Sequence, residues 1–167
     1  VQRFWGALRR VEPVLQRFRA GFRGKCSPVH FFWGGGDLAV TRFSGRPAPL
    51  RETMVDREAY DEEVCSLGFW PGDPWKGTSE AMFYAYTVPA PKGLETQRVG
   101  PAAAAWSDVF KEHVLPYEDV RRSPDPGAAI LEFAESTYAA GARLAGWDVE
   151  GLAYPRRGDD GVLARHA

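Results

Sequence analysis

Apolar residues recur at helical spacing at the two ends of the chain. The first 22 positions predict an amphipathic helix, whose stripe is Phe4, Trp5, Leu8, Val11, Leu15, Phe18 and Phe22. Pro13 is expected to end or kink this helix early, because proline lacks the backbone N–H that a helix interior uses. No capping residue precedes the helix, so we expect upstream sequence and interpret the chain as the C-terminal part of a longer protein.

A second long helix is predicted near the other end. Asp125 followed by Pro126 is typical of a helix start, and Gly146 is typical of a helix end. The helix should run from Asp125 to about Ala145. Its apolar stripe is Ile130, Phe133, Ala134, Thr137, Tyr138 and Leu144.

The middle of the chain is patterned mainly for strands. Residues 29–33 and 38–43 are rich in aromatic and β-branched types and flank a glycine-rich turn, which predicts a β-hairpin. Residues 80–88 predict a further strand, and residues 102–106 and 114–120 are interpreted as extended pieces, although 102–106 also suits a helix. Residues 57–67 predict a helix that Gly68 stops.

These elements predict an α+β fold with a small, mostly antiparallel sheet packed by an N-terminal and a long C-terminal helix. Residues 1–153 are expected to form a single domain, because 167 residues suit one core. From Tyr154 to residue 167 the chain becomes rich in Gly, Arg and Asp, which predicts a flexible tail.

Charge and apolar runs narrow the function classes. The formal net charge is -1 and like charges do not cluster, so nucleic-acid binding is not expected. No apolar run is long enough for a membrane span and no signal peptide is recognisable, which favours a cytoplasmic location. Cys26 and Cys65 stand apart from each other, so we expect reduced, buried thiols.

Catalytic and cofactor motifs are weak. Cys26 and His30 have a C-x3-H spacing, but a zinc site would need two further ligands, and only Cys65 and His113 remain outside the tail. The glycine triplet at 34–36 lacks the context of a phosphate-binding loop. We therefore expect no metal and no cofactor, and whether the protein is an enzyme stays open.

Aromatic residues concentrate between positions 31 and 86, beside a few polar groups. Aromatic walls with convergent polar side chains are typical of small-molecule pockets, although core packing explains the same rings. The candidate pocket residues are His30, Trp33, Asp37, Arg42, Trp70 and Tyr84. If the pocket exists, His30, Arg42 and Tyr84 should converge on a cavity that solvent reaches.

Several sequence blocks follow one another in an order that is typical of one protein family: the run from Lys25 to Trp33, the run from Asp37 to Arg46, Gly68 to Gly72, Phe83 to Tyr86, and Leu131 through Trp147. In these blocks the chain resembles the C-terminal part of a bacterial family known only as domain of unknown function 5996. The resemblance implies no activity, cofactor or catalytic residue.

Two functions follow as hypotheses. The first is a protein that binds a small molecule in the aromatic-lined pocket, with a metal-independent enzyme as one form of it. The alternative is a non-catalytic interaction module, whose aromatic face packs on a missing N-terminal half or on a partner protein.

Overall fold

The computed structural model describes residues 2–49, 61–73 and 80–154. Its helices and strands, in chain order, are α1 (Gln2–Ala20), β1 (His30–Phe32), β2 (Asp37–Pro47), β3 (Glu62–Trp70), β4 (Met82–Val88), β5 (Ala105–Ser107), β6 (Glu112–Pro116), α2 (Tyr117–Arg122) and α3 (Pro126–Leu144). A single 3-10 turn, Leu94–Thr96, lies between β4 and β5. No helix in these three stretches is long and apolar enough to cross a membrane.

The strands form one six-stranded sheet in the order β1-β2-β3-β4-β6-β5, and every neighbouring pair is antiparallel. With the two long helices, this confirms the predicted α+β fold. The described residues share one hydrophobic core, although the assignment of residues 1–153 to a single domain stays a prediction.

Both long helices pack on the same face of the sheet, which we call the inner face. Residues opposite each other in the ladder point to the same side, so Leu38, Phe69, Phe83 and Leu115 form one buried row. The opposite side, which we call the outer face, carries Asp37, Trp70, Tyr84 and Glu112, all partly exposed.

Helix α1 runs through Pro13 to Ala20, so the predicted early end at this proline is wrong, while the alternative of a kink stays a prediction. The Pro13 ring lies on the exposed side, while Val14 and Leu15 continue the buried stripe on the other side. Burial of this apolar stripe outweighs the single missing hydrogen bond. Trp5, which we placed in the stripe, is instead 56% exposed.

Helix α3 confirms the second prediction. The Asp125 side chain accepts a hydrogen bond from the Ala128 N–H, Pro126 occupies the first turn, and Gly146 has a φ of 68° just past the end. Leu144 is the exception in the predicted stripe, since it is exposed near the C-terminal end.

The predicted helix over residues 57–67 is wrong where the structure describes it. Residues 62–70 form β3, which pairs with β2 on one side and β4 on the other; residues 57–60 lie outside the described part. An inner row of Cys65, Leu67 and Phe69 suits a strand buried between two neighbours. Gly68 therefore lies inside a strand and ends no helix.

The remaining predicted strands are confirmed in part. The hairpin forms as β1 and β2, but it lies at an edge of the sheet, and β4 occupies most of residues 80–88. Only the end of residues 102–106 is extended, as β5. In residues 114–120, β6 ends at Pro116 and α2 begins, with acids in its first turn and arginines in its last. The predicted tail after Tyr154 lies outside the described residues.

Candidate functional site

A pocket of about 360 Å³ opens on the outer face, where β2, β3, β4 and β6 lie side by side. This volume lies within the range of small-ligand sites. The side chains that line it come from those four strands and from the loop before β6: Asp37, Trp70, Met82, Tyr84, Tyr86, Phe110 and Glu112.

Tyr84 crosses the pocket floor. Its hydroxyl donates a 2.9 Å hydrogen bond to Oδ2 of Asp37, although β3 lies between their two strands. Gly68 of β3 pairs with Tyr84, and because glycine has no side chain the Tyr84 ring can lie over it. Burial, followed by the neighbouring Asp37 charge, raises the pKa of Tyr84, so its phenol stays protonated as a donor to Asp37.

Aromatic rings form the walls. The Tyr84 and Tyr86 rings are stacked, with centroids 6.1 Å apart and an interplanar angle of 6°. On the other side, Trp70 meets Phe110 edge to face with centroids 6.1 Å apart. Such packing holds the rings in place, so the pocket presents fixed aromatic surfaces to a ligand.

Glu112 is the second carboxylate of the pocket. Burial raises its pKa from 4.5 to about 7, because removal from water disfavours the charged form. No described side chain hydrogen-bonds to this carboxylate or forms an ion pair with it. Near neutral pH the group can therefore accept or release a proton, and a cation beside it would favour the ionised form.

The structure brings three of the six candidate residues together at this pocket: Asp37, Trp70 and Tyr84. His30 and Trp33 lie elsewhere. The ring of His30 lies on the edge strand β1 against Phe32, at 4.6 Å between centroids, and Trp33 follows that strand with 88% of its surface exposed.

Arg42 lies on the inner face, so the expected convergence of His30, Arg42 and Tyr84 does not occur. Its guanidinium stacks on Phe18 at 3.4 Å and on Tyr138 at 4.4 Å from the ring centroids. It also donates to the Phe18 carbonyl and pairs with Glu135 at 3.3 Å. Because Arg42 shares the face of Leu38 and Val40, strand alternation places it in the core.

Four lining residues were not among the candidates from the sequence: Met82, Tyr86, Phe110 and Glu112. The signal for Glu112 was present, since the inner residues His113 and Leu115 imply that Glu112 and Val114 point outward. Recognising this required the pairing of β6 with β4, which places Val114 opposite Tyr84. The alternation of apolar and polar residues along one strand does not show which residues of the neighbouring strand lie opposite.

The cysteines do not contribute to the pocket. Cys65 is buried on the inner face with its sulfur 3.4 Å from Oγ1 of Thr87, and burial raises its pKa to about 12. Cys26 is only partly buried, contrary to the expectation that both thiols are buried, and burial raises its pKa as well. Within the described residues, no three His, Cys, Asp or Glu side chains are grouped as metal ligands.

The molecule is thus an α+β protein with helices on one face of an antiparallel sheet and an aromatic, acidic pocket on the other. It belongs to a family of unknown function, DUF5996, whose model matches residues 1–154. No curated protein and no solved structure matches the chain.

Proposed function

We propose that this protein binds a small organic cation in the outer-face pocket. The observation that carries the proposal is the make-up of the lining: two carboxylates and four aromatic rings, with no Lys, Arg or His among the seven lining residues that the structure describes. Aromatic faces attract cations through the ring quadrupole, and a nearby carboxylate adds a full opposite charge.

The two carboxylates differ in how they are held. Asp37 is fixed by the Tyr84 hydroxyl, whereas Glu112 has no described partner and is partly buried. A ligand that brings a positive nitrogen beside Glu112 would supply the missing counter-charge. The stacked pair Tyr84 and Tyr86 would cover its apolar groups.

Calorimetric titration with two probes of the same shape tests the proposal. Choline carries a quaternary nitrogen, and 3,3-dimethylbutan-1-ol is its neutral carbon counterpart. We expect choline to bind about tenfold or more tightly than the alcohol. Its affinity should also increase as the pH rises through about 7, where Glu112 loses its proton.

Pocket variants locate the site. Glu112→Gln and Trp70→Ala should each weaken choline binding. Asp108→Asn removes a carboxylate of which 88% is exposed and which lies outside the pocket, so it serves as the matched control and should bind choline normally. Equal affinity for the two probes, or equal loss in the control, would refute the proposal.

The alternative of a non-catalytic interaction module is favoured by a different observation. Exposed aromatic side chains lie on and near the edge strand β1: Phe32 at 50%, Trp33 at 88%, and Trp5 at 56%, whose neighbour Phe4 packs against Phe31 of β1. Exposed apolar side chains beside the terminal strand of a sheet are typical of protein contacts. Sedimentation over a concentration series should show self-association that Trp5→Ser with Trp33→Ser reduces; a monomer throughout would count against this role.

We further propose a bacterial, cytoplasmic setting. Cys26 and Cys65 are both free thiols, and a reducing compartment preserves thiols in that state. The bacterial origin is what the family resemblance implies. Fractionation of cells that express the protein would test the location.

A further inference from the structure

A groove lies on the other side of the sheet from the outer-face pocket. It has a volume of about 860 Å³ and lies between the first turns of α1 and the start of α2. This is near the upper end of the range for small-ligand sites. None of its lining residues belongs to the outer-face pocket, so its ligand chemistry can be considered independently.

The floor of this groove is aromatic. Tyr117 packs against Phe69 and Phe83 of the sheet, with ring centroids 5.4 Å and 6.4 Å apart, and Phe4 of α1 borders it from the other side. Phe69 is only 2% exposed, so a ligand with an apolar body would bury that body mainly against the partly exposed rings of Tyr117 and Phe4.

The rim of the groove is positive. Arg3 and Arg10 lie two turns apart on the same side of α1, with Gly6 between them, and Arg121 faces them from α2. Arg121 is held by Glu118 in a two-pronged ion pair of 2.7–3.1 Å. Arg3 and Arg10 have no hydrogen-bond or ion-pair partner in the described part of the chain. Among the described lining residues, three guanidinium groups and one carboxylate sum to two positive charges.

Gly6 keeps the groove open. A Cβ built at this position would meet only the Nη1 atom of Arg10, at 3.9 Å, so no packing requires glycine there. A large side chain at the same position would instead extend into the cavity that Gly6 lines.

We propose that this groove binds an amphipathic anion, a small molecule with an apolar body and one carboxylate or similar acidic group. The apolar body would lie on Phe4 and Tyr117, and the acidic group would accept hydrogen bonds from Arg3 and Arg10. Guanidinium groups suit this role because their paired N–H donors match the two oxygens of a carboxylate.

Titration with decanoate, below its micelle concentration, tests the proposal, with decan-1-ol as the neutral probe of equal length. We expect decanoate to bind about tenfold or more tightly than the alcohol, and Arg3→Gln with Arg10→Gln to remove most of that preference. Arg9→Gln with Arg17→Gln makes the same charge change on α1 outside the groove and should bind decanoate normally. Equal affinity for both probes, or equal loss in both double variants, would overturn the anion site.

Gly6→Leu gives a second, steric test. It should abolish decanoate binding while thermal stability is retained, because leucine favours a helix and nothing rigid lies beside Gly6. Choline binding at the outer face should not change, which separates this site from the proposed function. Unaltered decanoate binding by Gly6→Leu would overturn the proposal. Self-association of the natural protein that Gly6→Leu abolishes would also overturn it, because the groove would then be a contact between copies of the chain.

Discussion

The ring of Tyr84 occupies the space that a side chain at Gly68 would need. A Cβ at Gly68 would lie 2.3 Å from Cζ and 2.4 Å from the hydroxyl oxygen of Tyr84. This absence of a side chain lets Tyr84 reach across β3 to Asp37. A single glycine in the central strand therefore shapes the floor of the outer-face pocket.

Gly68→Ala should lower the free energy of unfolding by about 2 kcal/mol, because the methyl group displaces the Tyr84 ring and breaks its hydrogen bond. Elsewhere in a strand the same change usually stabilises the protein slightly. Urea unfolding measures the effect. Gly34→Ala is the control, since nothing lies within 4 Å of a Cβ there, and it should change stability little.

The Gly68 effect should depend on Tyr84 itself. In a Tyr84→Ala background the ring is absent, so adding Gly68→Ala should cost much less than it does in the natural protein. An equal cost in both backgrounds would show that the close approach of the two residues is not the cause.

Arg42→Ala and Arg42→Met should affect stability and leave the outer-face pocket unaffected, because Arg42 lies on the inner face. Arg42→Ala removes the stacking on Phe18 and Tyr138 and should cost about 3 kcal/mol. Arg42→Met fills similar space, and Glu135 keeps partial contact with solvent, so it should cost only about 1 kcal/mol. Urea unfolding measures both costs. Loss of choline binding in folded Arg42→Met would contradict the placement.

Gly141 lies where α3 closely approaches β3 and β4 of the sheet. A Cβ there would lie 2.1 Å from Oγ1 of Thr87 and 3.5 Å from Sγ of Cys65. Gly141→Ala should therefore destabilise the protein by about 2 kcal/mol, measured by thermal unfolding. Gly6→Ala, in the open part of α1, should instead stabilise it by up to about 1 kcal/mol. A stabilising Gly141→Ala would show that the helix can move away without loss.

The sequence predicted the elements whose signals are local. The cap at Asp125 and the glycine-rich hairpin turn depend on neighbouring residues, and both helix α3 and the hairpin form as expected, with the turn at 33–36. Strand β3 was misread because acidic residues at its start resemble a helix surface, and only pairing with β2 and β4 selects the strand.

The outer-face pocket was also predictable only in part. Aromatic content pointed to Trp70 and Tyr84, but the faces of Arg42 and Glu112 depend on strand register, which follows from contacts distant in sequence. Arg42 also shows why a polar residue type does not imply a surface position. Its guanidinium stacks on two rings, and its two terminal nitrogens contact a carbonyl and Glu135, while its buried Nε has no hydrogen-bond partner among the described residues.

Glu112 should make the protein less stable as the pH rises. Its folded pKa of about 7 lies above the ordinary 4.5, so between these values the folded state keeps a proton that the unfolded state has lost. The contribution of this bound proton to the free energy of unfolding is therefore full below about pH 4.5 and is lost as the pH rises to about 7.

With allowance for partial solvent screening, we expect Glu112→Gln to be about 2 kcal/mol more stable than the natural protein at about pH 8. The difference should be nearly absent at about pH 4.5. Urea unfolding at both pH values, with Asp108→Asn as the exposed control, measures it; the same pH dependence in Glu112→Gln would exclude this residue as the source.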